Sequence, residues 1–120
     1  MDQTKAASTV IRSMAAAIER GDWSAMSTHF TDDVTYERPG YPPLTGIAAL
    51  LEFYRDVRII KTGHHDIWQV IGTEENAACW GSFTGIARDG RSLAARFADV
   101  YDLRDGRIQR RVTHFFTPAI

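Results

Sequence analysis

The stretch FADVYDLRDGRI, positions 97–108, holds the side chain best suited to proton chemistry. Read as a strand it alternates, and the face bearing Phe97, Tyr101 and Leu103 also bears Asp99. A carboxylate among such neighbours is costly to bury unless it is paired or takes up a proton. Two outcomes follow. Paired with an arginine such as Arg96 or Arg111, Asp99 stays charged and serves structure or acts as a base. Unpaired in an apolar cavity, a carboxyl group favours its neutral form and can exchange its proton with a substrate oxygen or carbon.

Other candidates lie nearby. In RIQRRVTHFF, Arg111, Thr113 and Phe115 share one strand face and Val112 and Phe116 the other. Arginine there would bind an anionic or carbonyl-rich ligand, or pair with Asp99. Tyr36 and Arg38 lie on one side of a short strand if it stays regular up to Pro39. His64 and His65 are adjacent, so only one of them can enter a cavity. No spacing of His, Cys and carboxylates suggests a metal site, and no cofactor is expected. His114 is out of phase with Arg111 and Thr113, and His29 sits near a helix end where a charge–dipole role suffices. Cys79, the single cysteine, has no base at a readable distance. Phosphate-binding glycine loops and Ser/His/Asp signatures do not occur.

These side chains need a scaffold, and the sequence outlines one. Apolar residues Val10, Ile11, Met14, Ala17 and Ile18 recur at helical spacing over 4–20, ending at Gly21. Asp22 can cap a second short helix over 23–30, and Thr31-Asp32-Asp33 is expected to break it before a strand over 34–38. Pro39, Gly40, Pro42 and Pro43 force a loop, and a third helix follows over 47–57. From His64 the period changes to two, with strands in DIWQVIG, ACWGSFTGIA, LAARFADVYDL and RIQRRVTHFF. Asp89-Gly90 and Asp105-Gly106 between them are hairpin signals. The expected fold is α+β in one domain over 1–120, with three N-terminal helices against a curved, mostly antiparallel sheet that encloses a pocket.

Composition narrows the role. The chain is 24% charged and 44% hydrophobic, with a formal net charge of −1. Its Lys and Arg are scattered, so neither nucleic acid nor an anionic membrane is an expected partner. MDQTKAASTVIRSMAAAIERGDW has no continuous apolar run, so neither a signal peptide nor a membrane span is expected. A single cysteine fits a cytoplasmic location.

The helix-stop-helix IERGDWSAMSTHFTDDVTY, the Pro/Gly loop leading to GIAALLEFYRDV, and the closing DVYDLRDGRI together resemble the nuclear transport factor 2-like superfamily. Within it the chain is most similar to the SnoaL-like polyketide cyclase and ketosteroid isomerase branch, a cystatin-like cone. The resemblance implies that Asp99, seven residues before Gly106, is the acid/base group. It also implies that Cys79, Gly81 and Phe83 face inward, the small residues leaving cavity room, and that the Arg111 face looks into the cavity. Trp80, Val112 and Phe116 would then lie on an outer sheet face through which related folds dimerise.

The resemblance has gaps. The aspartate base of ketosteroid isomerases is replaced by Arg38, and their first-helix tyrosine has no counterpart near Met14, so steroid isomerisation is not expected. Arg96 and Asp99 fall on opposite faces, unlike the Arg–Asp pair of limonene-type epoxide hydrolases. The His-Trp-Asp of many SnoaL-like cyclases is replaced by Arg111-Val112-Thr113.

The resulting expectation is a cofactor-independent isomerase, cyclase or dehydratase acting on a hydrophobic oxygenated molecule such as a polyketide or ketone. Asp99 would move the proton, Arg111, Tyr36 and Thr113 would orient oxygens, and Arg38 would also bind the substrate. Phe83, Phe97, Tyr101 and Phe115 would line the pocket. The alternative is a non-catalytic ligand-binding or dimeric assembly module.

Overall fold

The structure is a computed structural model that describes residues 3–116. Helix α1, Gln3–Glu19, is followed by a 3₁₀ turn at Trp23–Ala25 and a single-turn helix α2 at Met26–His29. Strand β1 spans Phe30–Glu37 and β2 spans Leu44–Thr45. Helix α3, Ile47–Glu52, widens into a π-turn at Phe53–Val57. Strands β3 (Ile60–Gly72), β4 (Asn76–Ala87), β5 (Ser92–Arg104) and β6 (Arg107–Phe115) complete the chain. The six strands form one sheet in the order β2-β1-β6-β5-β4-β3, antiparallel except where β1 runs parallel to β6. Among the described residues no helix is long and apolar enough to cross a membrane.

The expected breaker Thr31-Asp32-Asp33 lies inside β1, and Phe30, expected to end a helix, begins that strand. Tertiary pairing overrides local propensity here. Phe30 is fully buried and pairs with Ile108, while Asp32 and Asp33 sit on the exposed side. Strand β3 likewise starts at Ile60, four residues before the expected His64. Asp22 does not cap a helix with its side chain, and its carboxylate instead accepts from the Ser24 hydroxyl at 2.8 Å.

Helix α1 buries Ala7, Ile11, Met14 and Ile18 against the concave face, matching the helical stripe in the sequence. Three side chains tie it along β3. Thr4 donates to the Gly72 carbonyl, Arg12 to the Ile67 carbonyl, and Glu19 accepts from the His65 backbone N–H at 2.9 Å.

Two bulges set which side chains face inward. In β3, Ile67 pairs with Gly81 and Gln69 with Trp80, so Trp68 is an extra residue. Gly81 lies so close to this bulge that an added Cβ would collide with the Asp66 carbonyl oxygen. Its smallness therefore serves backbone approach rather than the cavity room expected of it. In the β5–β6 hairpin, Asp105 and Gly106 have φ of 52° and 76°, the paired positive values of a type I′ turn. Beyond it Leu103 pairs with Ile108 and Asp102 with Arg110, leaving Gln109 extra. That one residue puts Arg111 opposite Tyr101 and Thr113 opposite Asp99.

Candidate functional site

With this register, Asp99 and Arg111 are diagonal neighbours on the inner face, within reach of each other. Both are almost fully buried, at 1% and 5% exposure. Arg111 Nε and Nη2 donate to Asp99 Oδ2 at 3.1 and 2.9 Å. The Tyr101 hydroxyl donates to the same oxygen at 2.8 Å. With its proton so engaged, Tyr101 can only accept from the Cys79 thiol, 3.5 Å away. Asp99 Oδ1 is buried with no hydrogen-bond partner. The carboxylate is thus used from one side and left bare on the other.

Arg111 carries the network forward. Its Nη1 donates to the Tyr54 hydroxyl at 2.8 Å, and its guanidinium lies 4.8 Å from the centre of the Tyr36 ring. Tyr36 and Thr113 share a hydrogen bond of 3.0 Å. Burial works against the Arg111 charge, but Asp99 and the surrounding hydroxyls outweigh it and hold the guanidinium proton more firmly than usual. Burial pushes the hydroxyl pKa values of Tyr54 and Tyr101 above the ordinary value, so both stay neutral donors. The Cys79 thiol is pushed up to about 11, chiefly by burial and then by Asp99, which leaves it unreactive near neutral pH.

In front of this network lies a narrow cleft with about 30 Å³ of water-accessible space. Tyr36, Arg38, Tyr54, Arg58 and Ile18 form one side of its lining, and His65, Ile60, Phe83 and Phe97 belong to it too. Arg111, Thr113 and Phe115 complete the wall from β6. Seven of the residues singled out by the sequence therefore meet here: Tyr36, Arg38, Phe83, Phe97, Arg111, Thr113 and Phe115. Asp99 and Tyr101 do not line the cleft. Both face inward as the alternation demands, yet they lie behind the wall, with Arg111 between Asp99 and the space.

Of the histidine pair, His65 enters the cleft. His64 points outward, where Glu19 takes its Nδ1 at 2.8 Å. The His65 ring meets Phe83 and Phe97 edge-on, with centroids at 5.0 and 5.8 Å. Burial lowers its pKa to about 3, with the nearby Arg111 charge adding to the effect. It is a neutral imidazole, and its Nδ1 is buried without a partner.

Arg58 and Tyr54 are wall residues that the sequence did not mark. Tyr54 shares one stripe of the third helix with Ile47, Leu50 and Leu51, a spacing that marks a packed face rather than a site. Arg58 follows the third helix directly and precedes Ile59-Ile60; a charge wedged between two apolar elements was the available signal. Among the described residues no group of three His, Cys, Asp or Glu side chains is placed to hold a metal ion.

Chemically, the wall offers a fixed guanidinium, three hydroxyls and a neutral imidazole beside aromatic rings. Such a surface can hold a carbonyl or hydroxyl oxygen and stabilise negative charge that develops on it.

The family model for the SnoaL-like domain matches residues 11–111. No curated protein matches the chain. Among solved structures, a candidate polyketide cyclase from Xanthomonas campestris superimposes with a TM-score of 0.81 at 21% identity, over 93% of this chain and 91% of that one. An epoxide hydrolase of the LEH-like kind from M. tuberculosis gives 0.82 at 16% identity, over 96% and 81%. A protein of ketosteroid isomerase-like fold from Catenulispora acidiphila, in complex with trimethylamine, gives 0.76 at 18% identity, over 88% and 83%.

Proposed function

Because the chain belongs to the SnoaL-like family, we propose that it is a cofactor-independent enzyme that takes a small, apolar, oxygen-bearing molecule into this cleft and isomerises, cyclises or dehydrates it through an enol or enolate. The observation that carries this reading is the buried Asp99–Arg111 pair behind a wall of hydroxyls. Arg111 is held rigid by Asp99, so it needs little reorganisation when charge develops on a ligand oxygen. Tyr36 and Thr113 orient the oxygen, Arg38 supports the charge, and Phe83, Phe97 and Phe115 hold the apolar body. Solved neighbours of the same fold, one of them holding trimethylamine, support a small-molecule role.

Asp99 enters this chemistry in one of two ways. It positions Arg111 through Oδ2, or it exchanges a proton through Oδ1, the oxygen left without a partner. The bare Oδ1 favours keeping the second route, which requires the ligand to displace Arg111 slightly and reach behind it. The alternative function, a binding or assembly module, needs neither.

A panel of ketones and polyketide-like compounds, screened by thermal shift and then incubated in D₂O, separates these readings. An enzyme exchanges hydrogen α to the carbonyl of a bound member, and Asp99→Asn lowers that rate ~10²-fold or more. Bound ligands that never exchange or convert would make the protein a binder.

The same proposal includes a homodimer through the outer sheet face. Trp68, Trp80, Val100 and Phe116 are 48%, 38%, 44% and 62% exposed there, an apolar surface that a second copy would cover.

A further inference from the structure

Resting on the reading that the cleft receives a small molecule, we infer that this molecule is an organic anion, an aryl or alkyl carboxylate whose charged end docks on Arg58. Arg58 is 6% exposed, its Nε is buried with no hydrogen-bond partner, and among the described residues no carboxylate pairs with it. Its contact is the face of Tyr54, 5.1 Å from the ring centre. The backbone alone accounts for the residue's position. Arg58 N–H donates to the Phe53 carbonyl and closes the π-turn, and the Arg58 carbonyl accepts from Arg88 Nε at 2.8 Å. Nothing in the fold requires a cation at the end of that side chain.

A buried cation without a counter-charge works against folding. Compare Arg111, which is equally buried and fully answered by Asp99. The cleft wall contains Arg38, Arg58 and Arg111 but neither Asp nor Glu. Asp99 serves Arg111 from behind. An arriving carboxylate would supply what Arg58 lacks, since the planar fork of a guanidinium matches a carboxylate in two parallel hydrogen bonds. Burial also pulls the Arg58 pKa below its ordinary value, a shift that a bound anion would oppose. The rest of the ligand is apolar, because Phe83, Phe97 and Phe115 share the same space. Its oxygen function would then face Arg111, Tyr36 and Thr113.

The test is calorimetric titration with matched pairs, each an aryl or alkyl carboxylate and its primary amide. Amide NMR shifts at His65 and Thr113 report whether binding is in the cleft. The carboxylate should bind ~10-fold or more tighter than its amide, as a charge-assisted hydrogen bond implies. Arg58→Met should erase that preference and keep the amide's affinity. The variant should also melt higher by roughly 3–6 °C, since an unpaired charge leaves the interior. Equal affinities, a preference that survives Arg58→Met, or a lower melting temperature would each overturn the anion assignment. Amide binding in the cleft would still leave the small-molecule reading standing. Silence of both His65 and Thr113 toward every pair and every ketone would remove both.

Discussion

The two faces of the sheet carry the side chains one would expect on the other. The concave face buries a carboxylate, a guanidinium, Thr113 and two tyrosines, with Tyr54 stacked on Tyr36 from the π-turn, while the convex face leaves Trp68, Trp80, Val100 and Phe116 open. Inside, polar groups are tolerated because nearly all are answered: Asp99 by three donors, Arg111 by a carboxylate and a phenol, Tyr36 by Thr113. Outside, the Arg96 guanidinium lies over the Trp68 and Phe116 rings, yet all four apolar side chains stay open to solvent. The difference teaches where function resides. Buried polar groups that are matched hold the architecture, and unmatched ones such as Arg58 Nε, His65 Nδ1 and Asp99 Oδ1 point to what must come from elsewhere. The outer apolar patch poses the same problem with the opposite chemistry.

The contrast is most sharply tested at Asp99. Asp99→Ala leaves Arg111 buried without its counter-charge, which should cost ~3–5 kcal/mol in urea unfolding. A loss below ~1 kcal/mol would mean that the inner network is not structural. Next in size is the pH dependence from His65. Unfolded, this histidine binds a proton below about 6.5; folded, burial holds its pKa at about 3. Stability is therefore full above pH 6.5 and falls as the pH drops toward 3, by at most ~1.4 kcal/mol per pH unit. His65→Phe removes that slope, read as the difference in unfolding free energy between the variant and the parent near neutral pH and in mild acid. An identical profile for both proteins would show that the cleft hydrates His65 freely. The smallest effect on the folded protomer belongs to the convex face. Trp80→Glu should leave far-UV circular dichroism unchanged but convert a dimer to a monomer in sedimentation. A parent that sediments as a monomer would refute the dimer itself.

Much of the framework could be read from residue order. Period-two alternation around Asp99, the Asp105-Gly106 turn and the helical stripe ending at Ile18 are local signals, and each corresponds to an element in place. The Thr31-Asp32-Asp33 segment misled because its strand depends on pairing with β6, which lies more than seventy residues away. Site residues followed the same division. Arg111, Thr113 and Phe115 were visible as one face of a strand, but alternation does not say which face is inside. Arg58 offered only its place between two apolar elements; that its Nε lacks a partner is decided by the fold.

Residue order alone thus determined that Asp99 shares a face with Phe97 and Tyr101, because side chains on an extended strand alternate whatever packs on them. The Gln109 bulge decided the rest. A regular hairpin closed at Asp105-Gly106 would set Val112, not Thr113, opposite Asp99 and turn Arg111 to the outer face. The extra residue shifts the pairing by one and brings the guanidinium inward. A one-residue slip is a property of two strands meeting, and only the packed sheet can set it.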